Sequence, residues 1–232
     1  MTELIKECSF LGFLMAAGTF QLARTVNKRA GKEILNPLVF ATVCCCTALL
    51  LTGNGYEEFY ESGGRILDYF LTPATICLAI PLYKQFTLLK KNAGAVLAGC
   101  AAGVAAHMAG CALMLAVFRM GAAEYISLLP KSITTAIGKG LSEELGGYPS
   151  ITMATIMLTG LFGAVAAPPL LKLFRIKEPL SQGLAIGTSS HAAGTSKAVQ
   201  LGEVQGAASS LAIVVTGLLT VIAAPLMARL VQ

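Results

Sequence analysis

The chain has 232 residues, of which 55% are hydrophobic and 12% are charged, whereas about 25% are charged in an ordinary soluble domain. Its mean hydropathy is +0.72, and 24 glycines and 9 prolines are scattered through the apolar stretches. This composition excludes a disordered chain, a nucleic-acid-binding domain and a typical cytosolic enzyme.

The charged residues are clustered, and long stretches between the clusters carry no charge. A helix that crosses a membrane needs about 20 largely apolar residues, with a range of roughly 17–25. Four stretches meet this length, a fifth meets it narrowly, and two shorter ones need their flanking residues. We therefore predict an all-α polytopic membrane protein with about seven or eight transmembrane segments. The charge-free stretches are 8–23, 34–56, 69–83, 92–118, 145–171, 179–196 and 204–228.

The cations concentrate in three loops, at 24–32, 84–91 and 172–177, whereas the loop 57–68 is mostly acidic. The positive-inside rule assigns the three basic loops to the cytoplasm. Alternation of the charge-free stretches then predicts seven crossings, with the N-terminus outside and Arg229 in the cytoplasm. The N-terminus lacks a basic region and a cleavage site, so the first apolar stretch is predicted to be a retained transmembrane helix.

Residues 120–144 do not fit a helix that faces lipid, because they mix five charged residues with apolar and small polar ones. Polar or non-helical backbone is tolerated at membrane depth only inside protein or beside a watery cavity. The stretch is therefore either an external amphipathic helix or a segment that dips into the protein interior, and we favour the second.

The two halves of the chain resemble each other at an offset of about 112 residues, since Asn36-Pro37 and Tyr148-Pro149 each open an apolar stretch. Matched stretches run in opposite directions across the membrane if the loop charges set the orientation. We therefore predict two inverted repeats, 1–120 and 121–232, in one integral membrane domain, which is the arrangement of many secondary transporters. The crossing count is one short of this symmetry, so one segment must be re-entrant or cross unexpectedly.

Each half carries one stretch in which a helix is predicted to be interrupted. In the first half, Pro73 follows Thr72 as a favourable first helical residue, and Pro81 removes a backbone hydrogen bond at mid-membrane. In the second half, a run rich in Gly, Ser and Thr extends from Gly187, a predicted break, to Lys197. Paired interruptions at corresponding positions are the best sequence pointer to a transport site.

The second interruption supplies most of the residues that we predict to bind a substrate. A new helix opening at Gly194-Thr195 would present free backbone N–H groups to an anion, and His191 is a polar group inside the membrane. The alternatives are that Gly194 only kinks the helix, that His191 is hydrogen-bonded only for packing, and that Lys197 is an anchor at the membrane interface. The predicted substrate-binding residues of this run are Ser189, Ser190, His191, Gly194, Thr195 and Lys197.

A second polar group follows Pro130 and consists of Lys131, Ser132 and Thr134. Its cation and hydroxyls could complete an anion site, or they could lie on a solvated face. Both alternatives remain open from the sequence.

A pair of glycines, Gly99 and Gly103, forms a GxxxG pattern in the stretch 92–118. This pattern is typical of a helix face that approaches another helix closely. His107 lies in the same stretch and is interpreted as a packing residue.

The sequence carries no signature of an enzyme, a metal site or a cofactor site. HExxH, P-loop and GxSxG motifs are absent, and the adjacent residues Ser189, Ser190 and His191 rarely give the geometry of a catalytic triad. The seven cysteines, including the run 44–46, lack metal-binding spacing and are interpreted as small packing residues. We expect no catalysis, no metal and no cofactor.

Several motifs resemble the LrgB/CidB family, and the likeness covers nearly the whole chain. The longest begins at Gly183 and reads Gly-Leu-Ala-Ile-Gly-Thr-Ser-Ser-His-Ala-Ala-Gly-Thr-Ser-Lys-Ala. Shorter matches are Leu129-Pro-Lys-Ser-Ile-Thr-Thr-Ala-Ile, Gly202-Glu-Val-Gln-Gly-Ala, Pro73-Ala-Thr and Ile80-Pro-Leu-Tyr-Lys.

The resemblance implies a multi-pass protein of the bacterial inner membrane, encoded beside a smaller LrgA/CidA-like membrane protein that would be its partner. It also implies antiholin-like or holin-like control of murein hydrolases and autolysis. Plastid relatives that export glycolate and glycerate, and bacterial relatives linked to pyruvate, imply a small carboxylate substrate.

The inverted repeat and the resemblance together predict a secondary transporter or permease subunit for small carboxylates. The alternative is an antiholin-like or holin-like regulator that acts through the partner membrane protein and has no substrate of its own. The expected partners are the lipid bilayer, the LrgA/CidA-like protein and the carboxylate, with a homo-oligomer left open and no nucleic acid.

Overall fold

The computed structural model describes residues 10–30, 37–53, 56–77 and 79–231. Within these ranges the secondary structure is helical with short turns and contains no strand, so the all-α prediction is confirmed there. The chain divides into two compact units, Met1–Cys77 and Leu78–Gln232, and each has its own helices.

The first unit contains α1 (Leu11–Ala30), α2 (Pro37–Thr52), α3 (Tyr56–Phe59), a π-helical turn (Tyr60–Gly64) and α4 (Arg65–Cys77). Helix α1 packs on α2, where Thr19 Oγ1 lies 3.1 Å from Cys45 Sγ. Pro73, predicted to open a helix after an interruption, instead lies inside α4.

The second unit holds eight helices among the residues described. Three of them are long and apolar enough to cross a membrane, which agrees with the prediction of a membrane protein. In chain order the eight helices are α5 (Ala79–Lys84), α6 (Phe86–Lys91), α7 (Ala93–Phe118), α8 (Ala122–Leu128), α9 (Thr135–Leu145), α10 (Pro149–Leu173), α11 (Pro179–Leu201) and α12 (Glu203–Ala228). The three long apolar helices are α7, α10 and α12.

Helices α8 and α9 form an antiparallel hairpin, here called the first hairpin, whose turn is residues 129–134. The Thr152 hydroxyl of α10 bridges the two arms, since its oxygen lies 2.9 Å from the Ser127 carbonyl oxygen and 2.7 Å from Ser142 Oγ. Nearer the turn, a Cβ at Gly138 would lie 3.5 Å from Pro130 Cβ. Residues 125–133 are buried or half-buried, whereas α9 leaves residues such as Ile137 and Lys139 exposed. A re-entrant position of 120–144 in the membrane stays a prediction.

Helix α11 also reverses direction, at His191, where φ is 40° and ψ is −139°. In a straight helix, residues eight positions apart are separated by about 12 Å. Here a Cβ at Gly194 would lie only 3.0 Å from Ile186 Cγ2, and Ile186 shares a buried cluster with Ala198. Residues 179–190 and 192–201 are thus the two arms of a second hairpin.

The reversal at His191 corrects the prediction that 179–196 crosses the membrane. Its physical reason lies in the small residues of both arms, which pack on α12. A Cβ at Gly187 would contact the Ser209 carbonyl oxygen and lie 2.8 Å from Ala212 Cβ, while Thr195 Oγ1 of the other arm lies 2.7 Å from Ser209 Oγ. The predicted break at Gly187 is absent, since its backbone remains helical within the first arm.

The two hairpins approach each other from opposite ends of α7. The first hairpin descends from the C-terminal end, because Cys111 Sγ donates to the Leu128 carbonyl and His107 Nε2 donates to the Leu129 carbonyl. The second rises from the N-terminal end, because Gly99 contacts Leu184 and Gly103 contacts Thr188. The turns of both hairpins consequently meet near the middle of α7.

Candidate functional site

A cavity of about 780 Å³ lies where the two hairpin turns meet, between α7, α10 and the first arm of α11. One end of its wall is apolar and is formed by α7, α10 and α11. Most of the polar groups lie nearer the turns, and Ser181 lies at the start of α11. The polar side chains that line the cavity are His107, Lys131, Ser132, Thr159, Ser181, Thr188, Ser189 and Ser190.

Lys131 is the one lysine or arginine, and no carboxylate accompanies it, among the described residues that line the cavity. It is half-buried in the turn of the first hairpin, and within the described ranges no Asp or Glu forms an ion pair with it. The neighbouring Ser132 is buried. An unpaired ammonium beside buried hydroxyls favours an anionic ligand, because hydrogen bonds to charged groups are stronger than neutral ones.

The second hairpin contributes a pair of serine hydroxyls, 3.0 Å apart, from Ser189 and Ser190. Ser189 donates to the Ala185 carbonyl at 2.8 Å, so the contact between the two hydroxyls is made by the Ser190 proton. Gly163 of α10 creates the space for Ser190, since a Cβ there would overlap the Ser190 side chain. The close approach of α10 therefore holds this hydroxyl pair at the cavity wall.

His191 fixes the turn of the second hairpin rather than facing the cavity. Its Nε2 donates to the Ile156 carbonyl of α10 at 2.8 Å, and the residue is buried. The ring requires a glycine opposite, because a Cβ at Gly160 would lie 2.7 Å from His191 Cε1. The left-handed backbone of a non-glycine residue is strained, and these contacts are what hold it.

Four of the nine predicted substrate-binding residues line the cavity, namely Lys131, Ser132, Ser189 and Ser190. The other five lie outside its lining. Thr195 is completely buried, and its hydroxyl donates to the His191 carbonyl. Gly194 is buried between the arms, Thr134 precedes α9, and Lys197 is half-buried in the second arm.

The helix resumes at 192, earlier than the predicted opening at Gly194-Thr195. Each side chain of the second arm therefore points in a different direction around the helix axis from the one predicted. The Thr195 hydroxyl consequently lies against Ser209 of α12.

His107 lines the cavity, although the sequence favours a packing role for it. Its position could have been found from spacing, because Gly99, Gly103 and His107 recur every four residues and so share one face of α7. That face contacts the second hairpin at both glycines, which agrees with the close approach predicted for the GxxxG pair.

The LrgB-like family profile matches residues 16–230 of the chain. Among curated proteins, the uncharacterized protein YwbG of Bacillus subtilis (strain 168) is 37% identical over 203 residues, which are 88% of this chain and 90% of that protein. The antiholin-like protein LrgB of the same strain is 34% identical over 223 residues, 96% of each chain. Antiholin-like protein LrgB of Bacillus mycoides (strain KBAB4) is 32% identical over 217 residues, 94% of each chain. No solved structure matches.

Proposed function

Because the chain belongs to the LrgB-like family, we propose that it is a secondary transporter, or a permease subunit, for small carboxylates in the bacterial inner membrane. The observation that carries the proposal is the meeting of two oppositely directed hairpin turns at one cavity, with Lys131 as its cation. Discontinuous helices that meet at mid-membrane are a recurring feature of transporter binding sites.

In the proposed arrangement α7, α10 and α12 cross the bilayer and the two hairpins enter it from opposite sides. The first arm of α11 has twelve residues, 179–190, and is about 18 Å long, which reaches past the middle of a hydrocarbon core of about 30 Å. A hairpin followed by a crossing helix then occurs twice with opposite orientation. This inverted pair, 122–173 and 179–228, lies within the second predicted repeat, 121–232, and is distinct from the predicted pairing of 1–120 with 121–232. It puts Arg229 outside, opposite to the side that simple alternation predicts.

Loop charges support an orientation in which the cavity opens to the cytoplasm. Lys90 and Lys91 precede α7, and Lys172 lies in the last turn of α10, so these helix ends face inward by the positive-inside rule. The apolar wall of the cavity comes from the same ends, for example from Ala95 and Leu170.

A buried apolar cluster joins the first hairpin to α7 and α12, and in the proposed arrangement it would close the end of the cavity opposite the cytoplasm. Its members Tyr125, Leu129 and Ile133 are each at most 1% exposed. Alternating access would require this cluster to separate while the cytoplasmic opening closes. The structure thus fits an inward-open state of the proposed transporter.

We assign the carboxylate to the space between Lys131, Ser132 and the Ser189–Ser190 pair. The ammonium would neutralise its charge, and the Ser132 hydroxyl would donate a charge-assisted hydrogen bond. The Ser190 proton would turn from Ser189 to the carboxylate on binding. Effects on murein hydrolases and autolysis would follow from carboxylate flux, and a smaller LrgA/CidA-like membrane protein would be the partner of the permease.

Uptake of labelled glycolate and pyruvate into proteoliposomes, with and without an LrgA/CidA-like protein, tests the proposal. Lys131→Gln should raise the apparent KM about ten- to a hundredfold, because a hydrogen bond to a charged group contributes about 1.5–3 kcal/mol.

Lys139→Gln is the matched control, since Lys139 is on the same hairpin but is exposed and pairs with Glu143 at 3.9 Å. It should transport at the parental rate. Absence of uptake by the parental protein in both preparations would instead favour a regulator that acts through its partner without a substrate.

A further inference from the structure

We propose that His107 and His191, the two histidines of the chain, are positioning residues that each fix one hairpin turn at the cavity. The inference rests on the proposed function, because the turns matter for transport only if the cavity binds a substrate. The two hydrogen bonds themselves do not depend on that function. Each imidazole makes the same bond, from Nε2 to a backbone carbonyl at 2.8 Å. One bond joins α7 to the first hairpin, and the other joins the second hairpin to α10.

The acceptor for His107 is the Leu129 carbonyl, at the end of α8. The last carbonyls of a helix have no partner within the helix, so an outside donor is needed when they are buried. Leu129 is completely buried, and His107 supplies that donor. Because Lys131 follows two residues later, this bond sets where the ammonium enters the cavity.

The acceptor for His191 is the Ile156 carbonyl within α10. Here the histidine is itself the residue of reversed backbone, with φ of 40°, and Ser190 precedes it directly. Gly160 leaves room for the ring and Gly163 leaves room for Ser190. The bond therefore joins the strained residue His191 to α10, the helix whose Gly163 leaves room for Ser190.

His191 is not among the residues that line the cavity, so its ring acts through other groups. His107 does line the cavity, but its Nε2 is already bonded to the Leu129 carbonyl and is not free to donate to a substrate. The bonds also fix the tautomer, because a nitrogen that donates to a carbonyl must carry a proton.

The decisive experiment measures how each turn is held, with and without its histidine bond. Ser132 and Ser190 are both buried, so a cysteine at either position should react slowly with a methanethiosulfonate reagent. The reporters are Ser132→Cys and Ser190→Cys, each in a chain whose native cysteines other than the buried Cys100 and Cys111 are replaced by alanine.

His107→Phe should speed modification at position 132 about two- to tenfold and leave position 190 unchanged, and His191→Phe should do the reverse, since a net hydrogen bond contributes about this factor. His107→Gln and His191→Gln should return the rates to within about twofold of the parental value. A glutamine amide can donate to the same carbonyl, whereas phenylalanine cannot.

Ser210→Ala is the matched control, because Ser210 is buried and its hydroxyl donates to the Gly206 carbonyl at 2.8 Å within α12, not to a hairpin turn. It should alter neither rate. Unchanged reactivity in both phenylalanine variants, or glutamine variants that behave like phenylalanine, would overturn the proposal.

In vesicles whose protein keeps Ser132 and Ser190, each phenylalanine variant should raise the apparent KM for glycolate more than it lowers the maximal rate, with rescue by glutamine. If the parental protein transports nothing, the reactivity pattern still decides the positioning role, so the two proposals fail separately. An equal loss of maximal rate and no change in KM would contradict a positioning role at the substrate site.

Discussion

The first hairpin reverses through a turn of six residues, 129–134, whereas the second reverses at the single residue His191. The longer turn needs no left-handed residue and presents a cation, Lys131, to the cavity. The reversal at His191 has no separate turn segment. It presents the short hydroxyl side chains of Ser189 and Ser190 to the cavity. The comparison shows that a compact reversal in a helix depends on its neighbours, here Gly160 and Gly163 of α10, more than on its own sequence.

The largest difference between the hairpins should appear when a glycine of each is enlarged. Gly187→Leu in the second hairpin forces a side chain against the Ser209 carbonyl and Ala212, and overpacking of this kind costs about 1–3 kcal/mol, occasionally more. We expect a strong fall in the Tm of the protein in detergent, with loss of folded material.

Gly140→Leu in the first hairpin is the control, because nothing lies within 4 Å of a Cβ at Gly140. Its Tm should stay near the parental value. Similar Tm values for both variants would mean that the second hairpin does not depend on close contact with α12.

An intermediate effect is expected when the buried threonine of each hairpin loses its hydroxyl. Thr152 joins the arms of the first hairpin, and Thr195 joins the second to Ser209. Thr152→Val and Thr195→Val should each lower the free energy of unfolding by about 1–3 kcal/mol, since buried polar partners are left unpaired.

The apparent KM for glycolate of the folded fraction should be unchanged in both threonine variants. A raised KM without loss of stability in Thr195→Val would show that its hydroxyl binds the substrate, as the sequence analysis predicts.

The smallest effect concerns the residues that cap the hairpins. The Ser181 N–H donates to Glu178 Oε2 at 2.6 Å at the start of α11, and the Gly121 N–H donates to Glu124 Oε2 at 2.9 Å before α8. Partial burial raises the pKa of Glu178, but the hydrogen bonds from Ser181 and Leu180 outweigh it, and the pKa is lowered overall.

Since the folded state binds the proton of Glu178 less tightly than the unfolded state, its contribution is complete above the unfolded pKa and is lost as pH falls through the folded pKa. Glu178→Gln keeps an oxygen that can accept from the Ser181 N–H but loses the charge at the helix N-terminus, so it should cost about 0.3–1 kcal/mol at pH 7. The Tm difference from the parental protein should shrink on acidification to about pH 3. A difference that grows on acidification would contradict this assignment.

Part of the site could be predicted because polar residues are conspicuous in apolar surroundings. Lys131 and Ser132 interrupt an apolar pattern, and Ser189-Ser190 lies in a run that is unfavourable for a continuous helix. These four residues do line the cavity. In contrast, the direction of Thr195 depends on one pair of backbone angles at His191, which no composition or spacing rule specifies.

The crossing expected for 179–196 failed for a related reason. Absence of charge over 18 residues satisfies the length of a span, but it says nothing about whether the chain reverses within it. The reversal requires a surface of small residues on a helix later in the chain, around Ser209 and Ala212. Such long-range packing is not visible in the local pattern.

The dependence of the second hairpin on α12 also orders events during synthesis. Residues 179–201 leave the ribosome before 203–228, so neither arm of the second hairpin can pack on α12 until that helix has been synthesised. Until then the Thr195 hydroxyl of the second arm lacks its partner on α12, Ser209, and lipid offers none. Helix α12 thus completes the second hairpin, which is assembled backwards, from its support to its turn.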